Sequence, residues 1–259
     1  MELRVEGARV LITAAASGIG RVMEQTFQHA GADVFICDVD PQAMQKTVGD
    51  LGLAGAVTCD VSVPDDVDAL FAAATETLGG LDILINNAGI AGPTQPVEDI
   101  DYEDWRRCMA VNIDGQFLCA RRAAPLLKAA GGGSIVNLSS LAGRLGYPLR
   151  TAYAASKWAV IGFTKSLSIE LGPHHIRVNA ILPGVVEGPR IDRVIAAKAE
   201  QRGVPFEAMR ETYLNMSSLQ VMVTAQDIAN TALFACSDAG RHISGQTFCV
   251  DGDIDSIRA

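Results

Sequence analysis

Seven short apolar runs recur along the chain, each followed by a stretch of helical length. They are ARVLIT at 8–13, DVFIC at 33–37, GAVTC at 55–59, DILIN at 82–86, SIVNL at 134–138, IRVNAIL at 176–182 and QTFCV at 246–250. Runs of this length, rich in β-branched residues and without strict alternation, read as strands buried on both faces. The intervening stretches carry helix punctuation. One runs from about Gly18 to Ala30 and stops at Gly31; another has Pro64 in its first turn and Gly79-Gly80 after its last. Longer helical patterns cover about 102–130, 152–171 and 225–236. Repeated βα units predict a parallel sheet covered by helices on both faces, because a parallel crossover is right-handed and lays its helix on the sheet.

No repeat, low-complexity tract or linker divides the 259 residues, so residues 1–259 are expected to form one domain. Only 183–222 breaks the rhythm, with Pro183, Gly184, Gly188, Pro189, Gly203 and Pro205 among helical-looking pieces. Long connections in such folds cover binding sites, which makes about 185–222 a candidate substrate lid.

Thirty acidic against 21 basic residues give a formal charge of −9, which speaks against a nucleic-acid binder working through a basic surface. The segment 185–215 is neutral, with five basic and five acidic residues, so the excess acid lies elsewhere. No stretch approaches the roughly 18 apolar residues of a membrane span. The opening MELRVEGARV lacks the basic start and apolar stretch of a secretory signal, and a cytoplasmic location is expected. Six scattered cysteines without a CxxC pair read as reduced, mostly buried thiols, and four histidines without ligand spacing predict no metal site.

After the first strand comes Thr13-Ala14-Ala15-Ala16-Ser17-Gly18-Ile19-Gly20, leading directly into a helix. A turn of small residues lets the backbone approach a diphosphate, and a helix N-terminus offers N–H groups and partial positive charge. Two glycines before a helix are also an ordinary turn; the strand–turn–helix context favours a dinucleotide. Asp38 ends the second strand, where a carboxylate accepts hydrogen bonds from ribose hydroxyls. A 2′-phosphate there would meet like charge, costing on the order of 4 kcal/mol per unit charge at about 4 Å and an effective dielectric near 20. NAD is expected rather than NADP.

Four further segments carry a family resemblance. Asn86-Asn87-Ala88-Gly89 follows the fourth strand, Asn112 lies mid-helix, Ser139-Ser140 ends the fifth strand, and Tyr153-Ala154-Ala155-Ser156-Lys157 opens the next helix; Pro183-Gly184 follows the sixth. In this order they resemble a short-chain dehydrogenase/reductase over essentially the whole chain. The resemblance implies a single Rossmann-like, doubly wound, seven-stranded parallel sheet of order 3-2-1-4-5-6-7. It also implies a catalytic set of Asn112, Ser140, Tyr153 and Lys157. Spacing supports the pair independently, since residues four apart share a helix face. A tyrosine, with an ordinary pKa of about 10, is a poor base at neutral pH. A lysine ammonium beside it favours the phenolate.

The same resemblance assigns cofactor contacts to Ser17, Gly18, Ile19, Gly20, Asp38, Asp60, Val61, Asn87, Tyr153, Lys157 and Val186. Ser140 would bond the substrate oxygen, and Asn112 would hold a water in a proton relay. Two residues depart from the pattern. Ala14 replaces the first glycine of the turn, which predicts a shifted turn with binding retained, and Gly188 stands where many members have threonine. The chain is also similar to the cytosolic hydroxybutyrate dehydrogenases of the family, with an Ala-rich turn and arginines near the site. Arg150, Arg190 and Arg193 are candidate contacts to an anionic substrate, a hydroxy acid or an acidic sugar; pairing with Glu187, Asp192 or another subunit is the alternative. A 3-oxoacyl-thioester reductase and a non-catalytic dinucleotide sensor are competing functions. The family resemblance implies a homotetramer, for which Ala159, Ile161, Phe163 and Leu167 offer an apolar face, although a helix buried within one chain has the same pattern.

Overall fold

The computed structural model describes residues 3–50 and 52–254, without the side chains of residues 48–50, 190, 197 and 201. Seven parallel strands form one sheet: β1 (Arg9–Thr13), β2 (Asp33–Asp38), β3 (Gly55–Thr58), β4 (Ile83–Asn86), β5 (Gly133–Leu138), β6 (Ile176–Pro183) and β7 (Thr247–Val250). Their order is β3-β2-β1-β4-β5-β6-β7. The chain winds outward from β1 to β3, then returns to place β4 beside β1, with Ile12 opposite Ile85. That reversal opens a crevice at the carboxyl ends of β1 and β4, where ligands bind in open α/β sheets.

The helices are α1 (Gly18–His29), α2 (Pro41–Asp50), α3 (Pro64–Leu78), α4 (Tyr102–Met109), α5 (Gly115–Ala129), α6 (Thr151–Leu171), α7 (Pro189–Arg202), α8 (Phe206–Leu214) and α9 (Ala225–Cys236). Alternate strand residues feed two cores. Val10, Ile12, Ile36, Ile85 and Val136 pack with Met23 and Phe27 of α1 and Ile228 and Ala232 of α9. Leu11, Phe35, Leu84 and Ile135 pack on the opposite face with Leu70 of α3 and Leu127 of α5. Both faces being covered, the strands are apolar at successive positions, which is the pattern of a doubly covered parallel sheet.

Two stretches differ from the sequence expectation. The helical pattern of 102–130 is interrupted at 110–114 by a π-turn, in which the Gly115 N–H bonds the Ala110 carbonyl five residues back. The irregular segment after β6 is a pair of helices, α7 and α8, with a small core of Ile195, Ala199, Met209, Tyr213 and Met222. All six cysteines are free; five are buried, and Cys249 is exposed. No described helix is long and apolar enough to cross a membrane.

Candidate active site

The turn between β1 and α1 is tied to the end of β4. Asn87 donates through Nδ2 to the carbonyls of Thr13 and Ala14 at 3.0 and 2.8 Å, and the Thr13 hydroxyl accepts the N–H groups of Asn87 and Ala88, both at 3.0 Å. Gly20 sits beneath this knot; a Cβ there would collide with the Ala14 carbonyl and Asn87. Gly18 is the opposite case. Its φ is +56° and a Cβ would meet nothing within 4 Å, so the turn has open space above it. The Ser17 side chain caps none of the first N–H groups of α1. An open, uncapped helix start fits a diphosphate.

Ala14 does not shift the turn away from a glycine conformation but adopts it, at φ +52°. The left-handed region is disfavoured for any residue with a Cβ by about 1–2 kcal/mol. The Asn87 bond to its carbonyl and the Ala15 N–H bond to Cys37 hold it there.

Asp38 is buried at the end of β2, and its carboxylate accepts the N–H groups of Ala16 and Asp40, both at 3.1 Å. The β1–α1 turn and this carboxylate are thereby tied together, and each oxygen retains a lone pair that could accept a hydroxyl donor. Asp60 is held by the Ser62 hydroxyl at 2.6 Å and Arg107 at 2.8 Å. Burial alone would raise its pKa, but these donors outweigh burial and keep it low. Val61 is buried, with its Cγ2 and carbonyl against Gly115. Val186 bridges Val223 where the chain enters the lid.

The catalytic candidates converge around the start of α6. Lys157 is buried, and its ammonium donates to the Leu138 carbonyl at 2.9 Å and lies 5.8 Å from the centre of the Tyr153 ring. Gly89 faces both Lys157 and Asn112; a Cβ there would stand 3.1 Å from Lys157 Nζ and 3.3 Å from Asn112 Oδ1. Ser140 caps the turn after β5, its hydroxyl oxygen accepting the Ala142 N–H at 3.2 Å, which leaves the hydroxyl hydrogen as a donor.

Asn112, fully buried in the π-turn, accepts the Ile90 N–H at 2.8 Å and donates to the Ile90 carbonyl and the Ser156 hydroxyl, both at 3.0 Å. Ser156 in turn donates to the Tyr153 carbonyl at 2.7 Å. The Asn112 side-chain amide thereby braces the helix that carries Tyr153.

Among the candidate arginines, Arg150 lies at the site. Arg150 donates to the Ala91 carbonyl at 2.8 Å, and its guanidinium lies 4.9 Å from the Tyr153 ring centre and 5.2 Å from that of Tyr147. Its Nε is buried without a hydrogen-bond partner. Arg193 is exposed on α7, and the Arg190 side chain lies outside the described residues. Sequence reasoning missed Lys198 and Tyr213. The Lys198 ammonium lies 5.7 Å from the Tyr213 ring centre. Lys198 and Arg202, one turn apart on α7, were visible only as charges.

Residues 13–253 match the family model described as enoyl-(acyl carrier protein) reductase. The chain is 34% identical over 261 residues to (+)-borneol dehydrogenase 2 of Salvia officinalis, covering 99% of this chain and 92% of that protein. It belongs to the short-chain dehydrogenase/reductase family. As a member it is an oxidoreductase of secondary alcohols and ketones. Two solved members share the fold. A 7α-hydroxysteroid dehydrogenase, complexed with NADH and 7-oxo glycochenodeoxycholic acid, is 32% identical with a TM-score of 0.84, covering 98% of this chain and 96% of that one. A 3-ketoacyl-(acyl-carrier-protein) reductase from Brucella melitensis, complexed with NADH, is 35% identical with a TM-score of 0.85, at 96% and 98% coverage.

Proposed function

We propose that this short-chain dehydrogenase/reductase is NAD-dependent and that Tyr153 is its general acid/base. The observation that carries the reading is the Lys157 ammonium, held by the Leu138 carbonyl at the end of β5, which Ser140 follows, and 5.8 Å from the centre of the Tyr153 ring. Ser17, Gly18, Ile19 and Gly20 would hold the diphosphate. Asp38 would take the adenosine ribose, Asp60, Val61 and Asn87 the adenine side, and Tyr153, Lys157 and Val186 the nicotinamide end. When bound, the nicotinamide supplies the hydride acceptor. Ser140 donates a hydrogen bond to the substrate oxygen, and Tyr153 takes the hydroxyl proton as that oxygen becomes a carbonyl. Lys157, tethered to Leu138, stabilises the phenolate.

Asp38 favours NAD over NADP by like-charge repulsion of a 2′-phosphate. It does not by itself separate a dehydrogenase of small alcohols from a 3-oxoacyl-thioester reductase, since the solved Brucella relative of that kind carries NADH. Arg150 on the Tyr153 ring favours an anionic alcohol, a hydroxy acid or acidic sugar. Homotetramer formation is supported by the exposed Trp158 and Ile169 of α6 and Phe117 of α5, which leave apolar surface for neighbours. Light scattering would read a mass near four chains.

Fluorescence titration is expected to give NADH binding at least about tenfold tighter than NADPH, a difference of about 1.4 kcal/mol. NAD⁺ reduction should follow from hydroxy acids, sugar acids or polyols. Absence of turnover with every alcohol and with acetoacetyl thioesters would leave the dinucleotide-sensor reading instead.

A further inference from the structure

Gln116 is a buried amide that no motif marks. It is the second residue of α5, 2% exposed, and its Nε2 donates to the Leu138 carbonyl at 3.1 Å. The same oxygen accepts the Lys157 ammonium at 2.9 Å. A carbonyl oxygen has two lone pairs, so one atom at the end of β5 takes both donors. The Leu138–Ser139 peptide is itself anchored, because the Ser139 N–H bonds the Ile181 carbonyl of β6.

Packing alone does not call for an amide there. The Gln116 Oε1 is buried without a hydrogen-bond partner among the described residues. A buried polar atom left unpaired costs free energy that an apolar side chain of the same length would avoid. The amide is engaged through its donor, and on the oxygen that holds Lys157.

The π-turn at 110–114 ends two residues before Gln116 and carries Asn112, whose amide donates to Ser156, which in turn donates to the Tyr153 carbonyl. Such irregular turns are frequent at functional sites. One amide from this stretch braces the residue that precedes Lys157, and the next reaches the oxygen to which Lys157 is bound.

We propose that Gln116 is a positioning residue for Lys157: by sharing the Leu138 carbonyl it sets where the ammonium stands relative to the Tyr153 ring, whose centre is 5.8 Å from it. The proposal rests on the reading of Lys157 and Tyr153 given above and extends it to α5. Donors approach a carbonyl oxygen along its lone-pair directions. Gln116 occupies one of them and confines the ammonium to the other. Without Gln116 the ammonium can swing across that oxygen, and its distance from the phenol is no longer fixed.

The test uses the whole enzyme and Gln116→Met, which removes the donor and keeps an unbranched side chain of similar length. With NAD⁺ and whichever of 3-hydroxybutyrate, sorbitol and cyclohexanol is oxidised fastest, kcat should fall about tenfold while KM for the alcohol stays within about threefold. The pH at which kcat rises should move up by about half a unit or more, because a displaced ammonium favours the phenolate less. Loss of packing alone would lower Tm and leave that pH unchanged.

A second measurement needs no turnover. In fluorescence titration Gln116→Met should weaken NADH binding about fivefold in the otherwise native enzyme but change it less than about twofold in the Lys157→Met background, where the ammonium to be positioned is gone. Equal weakening in both backgrounds, or an unchanged pH profile in an active enzyme, overturns the positioning role. Should Gln116→Met fail to fold, Gln116→Asn, whose amide is one carbon shorter, is read in the same way. Failure to oxidise any of these alcohols counts against the dehydrogenase reading, and the NADH titrations then decide the role of Gln116 by themselves.

Discussion

The Lys157 ammonium is held by the Leu138 carbonyl at 2.9 Å and sits 5.8 Å from the centre of the Tyr153 ring. The end of β5 therefore fixes the cation, and one turn of α6 fixes the phenol relative to it. Positioned proton transfer contributes about 10²–10⁴ in rate. Tyr153→Phe should lower kcat by about 10³ while NADH affinity changes only a few-fold. Lys157→Met should weaken both. Steady-state kinetics beside fluorescence titration reads the two effects separately, and turnover that survives Tyr153→Phe would remove the phenol from the mechanism.

Asp38 has two tasks that one substitution separates. Its carboxylate holds the Ala16 and Asp40 N–H groups, and in the proposed binding mode it presents negative charge where a 2′-phosphate would lie. Asp38→Asn removes the charge and keeps one of the two acceptors, its Nδ2 being a donor that cannot accept the other N–H. The NAD-over-NADP ratio of kcat/KM should fall at least about tenfold, with a stability loss of about 1–2 kcal/mol from the weakened charge-assisted bonds. An unchanged ratio would show that Asp38 does not set cofactor choice.

Much of this was readable from the chain because local rules and the global fold agree. The strand at 33–37 was extended by one residue to Asp38, and the helix beginning at Pro64 ended at Leu78 before Gly79, as its punctuation implies. The π-turn around Asn112 was not readable: residues 110–114 keep an ordinary helical pattern, and only packing of the Asn112 amide against Ile90 and Ser156 reveals the extra residue. Lys198 and Tyr213 escaped for a different reason. They stand on separate lid helices, fifteen positions apart in sequence, and no periodicity relates either to Arg150. Gly20 shows the intermediate case, a motif residue whose reason, contact with Ala14 and Asn87, appears only in three dimensions.

Ala14 carries backbone strain that a glycine would not. Its φ of +52° disfavours a Cβ by about 1–2 kcal/mol, whereas glycine adds about 0.5–1 kcal/mol of chain entropy to be lost on folding. Ala14→Gly should therefore be neutral or stabilising by up to about 1 kcal/mol in urea denaturation. Ala14→Val, β-branched in the same conformation, should destabilise by about 2 kcal/mol or more. A Gly variant weaker than wild type by over about 1 kcal/mol would mean that packing of the Ala14 methyl outweighs the strain.

Glu24 on α1 provides a pH signature of stability. It is fully buried, and neither carboxyl oxygen has a hydrogen-bond partner. Burial pushes its pKa from 4.5 up to about 7, with Arg21 pulling the other way. Between those values the folded chain keeps a proton that the unfolded chain releases. Stability therefore falls as pH rises from about 4.5 through about 7 and levels off above, by about 3–3.5 kcal/mol at about 1.4 kcal/mol per pKa unit. Glu24→Gln places a neutral group of the same shape there. Its advantage over wild type should be near zero at pH 4.5 and approach about 3–3.5 kcal/mol at pH 8, read from urea midpoints across that range. Parallel pH profiles for the two proteins would show that Glu24 is ionised at neutral pH and has found a partner.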